Sequence, residues 1–146
     1  MWRALFVVLV AAACATTRSV DDEPASGKMG IQVSAKDLAH HGQQRILRDA
    51  GARGVERLAF AQQVRRNGDA EIEVELAAAT VDGNTHCTVK VMVLALPSHD
   101  LLGIAEGGGT TQGHGDVALA DCITSVGVAL IERKVQPLLR RRYAGR

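Results

Sequence analysis

The apolar run near the N-terminus, LFVVLVAAACATT over residues 5–17, constrains this chain more than any other feature. A transmembrane helix needs about 20 consecutive apolar residues, whereas this run ends at Ala15. Arg3, the apolar segment after it and the small residues at its end are the three parts of an export signal. We therefore expect residues 1–13 to be a signal peptide. The alternative is a buried N-terminal helix of the same composition.

Two cleavage sites fit the end of this run. Ala13-Cys14-Ala15 matches an ordinary A-x-A site, and Ala11-Ala12-Ala13-Cys14 resembles the lipobox of bacterial lipoproteins. We favour the lipobox because the signal is short and a cysteine lies where one is needed, although Ala11 stands where leucine is usual. The resemblance implies a lipid on Cys14, and Ala15 after it implies the outer membrane in bacteria that have one.

The segment after the cysteine is predicted to be a flexible tether. Residues 14–29 are mostly small or polar and hold few side chains that a core could bury. Each buried methylene of an acyl chain contributes about 0.8 kcal/mol, so several chains on one cysteine anchor a protein stably. We expect residues 30–146 to fold as a single domain that the tether joins to the membrane.

The charge balance argues against nucleic-acid binding. Without residues 1–13 the chain has 16 basic and 16 acidic residues, whereas nucleic-acid-binding domains carry clustered positive charge. Phe60 and Tyr143 are the aromatic residues that remain, so a surface that stacks sugars or bases is not expected either. Nothing in the sequence indicates a cofactor.

A strand and a helix are predicted at the start of the domain. Residues 30–33 have the composition of a short strand. Ser34 and Asp37 imitate a capping box, and the residues after them keep helical spacing as far as Gly51, which is a plausible end.

A hairpin is predicted next, because from Val55 the apolar residues alternate with a period of two. A three-residue loop, Arg66-Asn67-Gly68, would place Phe60 opposite Val74, with Gly68 in the left-handed conformation. The alternative is a helix over residues 55–66.

Asp82-Gly83 is a strong signal for a second hairpin, with a strand over residues 85–96. A two-residue turn here pairs Leu76 with Val89 and Ala78 with Cys87, and on the other face Glu75 with Lys90.

The rest of the chain is predicted to be a strand, a loop and a helix. The strand is Leu101 to Glu106, and the loop is the glycine-rich stretch over residues 107–115. Asp116 is expected to cap the helix, and Pro137 to end or kink it before the basic cluster Arg140 to Arg142. The helix has an apolar stripe of Leu119, Cys122, Ile123, Val126 and Leu130.

These elements predict an α+β fold, an antiparallel sheet of four to five strands with two helices packed on one face. Cys87 and Cys122 both fall on predicted core faces. They are either a disulfide, which would add roughly 4 kcal/mol in the chain-entropy model, or two buried thiols that do not touch.

Metal and phosphate sites are not indicated. The histidines show no H-E-x-x-H spacing, and His40 and His41 diverge by about 100 degrees on a helix. AEGGGTTQGHGD lacks the G-K-[ST] ending of a phosphate loop. Glu71, Glu73 and Glu75 are interpreted as a solvated strand face.

No catalytic constellation is evident. The one chemical alternative is a small hydrolase in which His99 or His114 forms an acid–base pair with Asp100, Glu106 or Asp116, provided that their loops meet.

Met92, Leu94 and Leu96 make the second face of the strand over residues 85–96 apolar as well. Such a strand is central, or its outer face is covered. We predict that a partner protein, or a second copy of this chain, covers these three side chains.

The order of parts resembles the envelope lipoproteins around curli secretion and penicillin-binding-protein activation. The resemblance lies in the lipobox at Cys14, the polar tether, and a domain of strand, helix, antiparallel strands and C-terminal helix. It implies a non-enzymatic lipoprotein, held at the membrane through Cys14, that binds or helps to assemble another envelope component.

Overall fold

The computed structural model describes residues 20–36 and 42–144. Cys14, His40 and His41 lie outside these ranges. Within them, no helix is long and apolar enough to cross a membrane. The elements are β1 (Met29–Lys36), α1 (Gln44–Glu56), β2 (Ala61–Gln63), β3 (Ala70–Val81), β4 (Asn84–Ala95), β5 (Leu101–Gln112), α2 (Asp116–Leu130), a π-helical segment (Ile131–Val135) and α3 (Gln136–Tyr143).

The strands form one five-stranded sheet in the order β2-β1-β3-β4-β5. The long pairings, β3 with β4 and β4 with β5, are antiparallel. β1 is parallel to both of its neighbours, β2 and β3. The predicted α+β fold is confirmed, and the sheet is mixed because α1 carries the chain back after β1, so that β2 enters in the same direction.

One face of the sheet carries the core. The buried residues of β3 and β4 alternate along each strand, for example Ile72, Val74, Val89 and Val91. They belong to one cluster with the buried residues of the helices, which therefore pack on the same face. These helix residues are Leu47, Ala50, Val55, Cys122, Ile123, Val126, Leu130 and Leu139.

Residues 107–112 of the glycine-rich stretch are the second half of β5, so the prediction of a loop is wrong there and holds only for residues 113–115. A Cβ added at Gly109 would lie 2.6 Å from Val126 Cγ2, and one at Gly107 would lie 3.0 Å from Leu130 Cδ2. Gly107 and Gly109 are therefore needed for α2 to approach the strand closely, whereas Gly113 and Gly115 have positive φ in the connection from β5 to α2.

Cys87 and Cys122 form a disulfide, with an S–S distance of 2.09 Å and a Cα–Cα distance of 6.2 Å. The bond joins the middle of the sheet to α2. Of the two alternatives that the sequence leaves open, the structure has the bridge. The side chains next to it along α2, Ile123 and Val126, are buried as well.

The predicted helix from Ser34 to Gly51 is wrong at both of its ends. β1 continues to Lys36, and Ser34 Oγ donates a hydrogen bond to Glu71 Oε1 on the neighbouring strand instead of capping a helix. Gly51 lies inside α1, where a Cβ would be 2.6 Å from Val33 Cγ1, so it allows a close contact of helix and sheet.

The hairpin predicted over residues 55–76 is also wrong, as is its helical alternative. α1 ends at Glu56, and β2 is three residues long and pairs with β1. Val55 and Leu58 are separated by Glu56 and Arg57, and their side chains are buried at the end of α1 and in the turn after it. Asn67, not Gly68, has a positive φ of 52°.

The second hairpin is confirmed over most of its length. Glu75 faces Lys90 and Leu76 faces Val89, as expected. A register shift between Leu76 and Ala78 then places Ala79, not Ala78, opposite Cys87. The loop is one residue longer than predicted, since Val81 pairs with Thr85, and the bulge compensates for that residue.

The C-terminal helix differs from the prediction at its start and at its end. Gly115 occupies the N-cap position and Asp116 is the first helical residue, with no side-chain capping bond. Pro137 does not end the helix, because α2 passes through the π-helical segment into α3, and Pro137 lies in the first turn of α3, where a missing N–H is tolerated. Arg140 to Arg142 thus lie within α3.

We predict that Gly109→Ala lowers the free energy of unfolding by about 1–3 kcal/mol, because its Cβ overpacks the contact with α2. The reason is the 2.6 Å distance from that Cβ to Val126 Cγ2. Urea unfolding followed by circular dichroism measures the change.

The control is the same substitution in a Val126→Ala background, which removes the contacting methyl group. There Gly109→Ala should cost clearly less. An equal cost in both backgrounds would show that the glycine is not required by α2.

Candidate functional site

The second face of the sheet, which we call the outer face, is divided into an acidic column and an apolar patch. Register across the strands gives its rows: Glu73 lies beside Met92, and Met92 beside Ile104. In the next row the same positions are held by Glu71, Leu94 and Leu101. Acidic side chains thus follow β3, and apolar side chains follow β4 and β5.

The apolar side chains on β4, β5 and the turn between them form the outer apolar patch, which consists of Met92, Leu94, Leu96, Leu101 and Ile104. Leu101 is 55 % and Ile104 54 % exposed, and the other three are partly buried. In the chain segments that the structure describes, the helices pack on the opposite face. Sequence reasoning found the three members up to Leu96 but missed Leu101 and Ile104, because the predicted strand over residues 101–106 carries no register signal.

Two of the three glutamates of the acidic column have partners on neighbouring strands. Glu71 Oε1 accepts a hydrogen bond of 2.6 Å from Ser34 Oγ, and Glu75 Oε2 lies 2.7 Å from Lys90 Nζ. The hydrogen bond and the charge of Glu75 raise the pKa of Lys90 above its ordinary value. This half of the outer face is held in place by local contacts.

Glu73 differs from the other two glutamates. Its Oε1 is buried, and no group among the described residues donates a hydrogen bond to it. A buried carboxylate oxygen without a donor is costly, by about 1–3 kcal/mol or more. The carboxylate stands next to Met92, at the border between the acidic column and the outer apolar patch.

The histidines proposed for hydrolysis do not converge. His99 precedes β5 and His114 follows it, and a strand of 12 residues rising about 3.4 Å per residue separates them by roughly 37 Å. His99 lies beside Glu71, with 3.8 Å between Nδ1 and Oε2, and the carboxylate of Asp100 accepts a hydrogen bond from Ser98 Oγ.

The group of Ser34, Glu71 and His99 has the wrong order for nucleophilic catalysis. The hydroxyl of Ser34 donates to the carboxylate, and the imidazole lies on the other side of that carboxylate. A catalytic triad needs the imidazole next to the hydroxyl, where it removes the proton. The arrangement is that of a hydrogen-bonded strand surface.

His86 takes part in a separate polar cluster near the β3–β4 turn. Its Nε2 lies 2.8 Å from Asp82 Oδ1 and its Nδ1 2.9 Å from Thr110 Oγ1. The hydrogen bond to His86 lowers the pKa of Asp82. Over residues 20–36 and 42–144, no three His, Cys, Asp or Glu side chains are grouped as a metal site requires.

Comparison with known proteins finds likeness in structure but none in sequence. No family model and no curated protein sequence matches the chain. The PelC dodecamer from Paraburkholderia phytofirmans matches with a TM-score of 0.55 and 12% identity over 82% of this chain and 94% of that one. A hypothetical protein from Chlamydia trachomatis matches with a TM-score of 0.62 and 7% identity over 78% of this chain and 99% of that one.

A DUF330 protein from Xanthomonas campestris is similar as well, with a TM-score of 0.55 and 11% identity over 85% of this chain and 93% of that one. At these identities the likeness establishes a shared fold. The fold does not carry a function by itself.

Proposed function

We propose that the protein is a non-enzymatic lipoprotein of the bacterial envelope, anchored through Cys14, whose domain associates with further copies of itself through the outer apolar patch. The leader over residues 1–13 and the cysteine after it support the anchor. The disulfide between Cys87 and Cys122 supports an oxidising compartment outside the cytosol.

The observation that carries this proposal is the exposure of the outer apolar patch beside charged neighbours. Two large apolar side chains, Leu101 and Ile104, are more than half exposed on one strand. Glu106 and Lys90 continue the same strands at the edge of the patch. Apolar residues at the centre and charged residues at the rim are typical of a protein–protein interface.

The partner is proposed to be a second copy because β5 is an edge strand. β5 is 12 residues long and pairs on one side with β4 in the described chain. A long unpaired edge is a template for another strand, and Leu101 and Ile104 lie on that edge. PelC, which has the same fold, is a dodecamer, and this supports self-association.

Self-association also accounts for Glu73. A second copy that covers Met92 would bring its own donors close to the unpartnered Oε1 of Glu73. Charged groups that pair across an interface select the partner and its orientation.

Cys14→Ser should abolish lipid attachment, because the serine hydroxyl does not replace the thiol that receives the diacylglycerol. Metabolic labelling with an alkyne fatty acid and mass spectrometry of the N-terminal peptide measure this in the expressing bacterium. Thr16→Ser, two residues further on, is the control and should keep the label. A Cys14→Ser protein that still carries the label, or a wild-type protein that retains residues 1–13, would contradict the anchor.

The triple variant Met92→Ser, Leu94→Ser, Ile104→Ser should weaken self-association at least about tenfold, since each truncated anchor of an interface costs more than about 1 kcal/mol. Sedimentation of the detergent-solubilised protein over a range of concentrations measures the effect.

Val117→Ser is the matched control, because Val117 is an apolar residue that is 76 % exposed on α2, away from the outer face. It should leave the assembly unchanged. Identical mass distributions for the triple variant and the wild type, with both folded by circular dichroism, would contradict the proposed surface.

A further inference from the structure

A cleft with a volume of about 480 Å³ lies where the start of β1, the turn after α1 and the helix α3 meet. Its walls include Met29, Phe60, Leu139 and Tyr143, with Lys28 and Arg140 as cations. Both aromatic residues of the mature chain line this one cleft, although they are far apart in sequence. The volume falls within the range of small-molecule sites, about 300–1,000 Å³.

The walls of the cleft are fixed by contacts within the protein. Tyr143 Oη donates a hydrogen bond of 2.6 Å to the carbonyl oxygen of Asp69. The guanidinium of Arg140 lies over the ring of Phe60, 5.2 Å from its centroid. α3 is thereby held against the sheet, so the cleft is formed before any ligand enters.

The charge at the cleft is positive where it faces solvent. Lys28 and Arg140 are both exposed. The one acidic side chain in the wall, Asp69, directs Oδ2 to the backbone, where it accepts a hydrogen bond of 3.0 Å from Gly30 N–H. An apolar interior with cations beside it favours a ligand that has an apolar body and an anionic end.

We propose that this cleft binds a single-chain anionic amphiphile, that is, a fatty acid or a lysophospholipid. Met29, Phe60 and Tyr143 are partly buried and would contact the acyl chain, and the fully buried Leu139 lies behind them. Lys28 and Arg140 would pair with the carboxylate or phosphate, and an arginine can do so through two hydrogen bonds.

The position of the cleft supports a lipid as the source of this chemistry. Gly27 and Lys28 belong to its wall, and residues 14–29 are the tether expected to lead to the membrane. Arg65 N–H donates a hydrogen bond to the carbonyl oxygen of Asp21, so Cys14 lies within roughly 25 Å of Asp21 at about 3.3–3.6 Å per residue. The proximity of the cleft to the membrane rests on the proposed anchor through Cys14, whereas the apolar walls and the two cations of the cleft do not depend on it.

The test uses the mature chain with Cys14→Ser. This variant carries no lipid and needs no detergent, and it contains every residue of the core. The probe is a dansyl-labelled undecanoic acid, whose fluorescence rises when it enters an apolar site. We expect saturable binding that palmitate or lysophosphatidylglycerol reverses and that inorganic phosphate does not. Methyl palmitate, which has the same chain but no charge, should compete at least tenfold more weakly.

Lys28→Gln with Arg140→Gln should weaken binding of the probe at least tenfold. The matched control is Arg141→Gln with Arg142→Gln, which removes the same charge from α3 outside the cleft and should leave binding unchanged. Ala144→Trp, which fills the mouth of the cleft, should abolish binding of the probe and of its methyl ester alike.

Three results would overturn the proposal. The first is the absence of saturable binding to the folded chain. The second is an equal loss in the Arg141 and Arg142 control, which would indicate unspecific attraction of anions. The third is binding that appears only after residues 14–19 are removed, which would identify the chain's own N-terminal segment as the occupant. All three leave the self-association of the outer face untouched, since that is measured separately.

Discussion

The contact between α2 and the strands β4 and β5 is the constraint on which the rest of the structure depends. Gly107 and Gly109 let the helix approach the sheet, and the disulfide between Cys87 and Cys122 fixes the helix above β4. Because α2 leads through a π-helical segment into α3, its position also decides where Arg140 and the other residues of α3 lie. The cleft between the start of β1, the turn after α1 and α3 is thus a consequence of packing around the bridge.

The same constraint leaves the other face of the sheet open. A strand in the middle of a sheet has two faces, and in the second half of β4 both are apolar: Val91 and Val93 face the core, and Met92 and Leu94 face outward. The described helices pack on the core face, so the outward residues of β4 and β5 form the outer apolar patch to which we assign the proposed self-association.

The sequence predicts the parts of the fold whose signals are local. Asp82-Gly83 and the alternation on both sides of it give the β3–β4 hairpin, and the apolar stripe with Cys122 gives α2. It does not predict β1 beside β3, because a parallel pairing with a helix between the strands leaves no turn signal. The second half of β5 is not predicted either, because a glycine-rich segment has the composition of a loop.

For the candidate sites too, the sequence predicts only those residues whose signal is local. Met92, Leu94 and Leu96 could be found from one strand alone, whereas Leu101 and Ile104 join them only through the register of β5 with β4. Phe60 and Tyr143 meet in the cleft because α3 returns across the sheet to Asp69. No pattern of residue spacing along the chain predicts that Phe60 and Tyr143 lie close together.

The most direct test of the central claim is the oxidation of Met92 in membranes that contain the protein. Met92 lies on the outer face, whereas Val117, which is 76 % exposed on α2, does not, so Val117 serves as the reference. Hydroxyl-radical footprinting read by mass spectrometry should show Met92 protected in the membrane and exposed after dilution in detergent, with Val117 changing little. Equal oxidation of Met92 in both states would show that nothing covers the outer face, and it would contradict the proposed assembly.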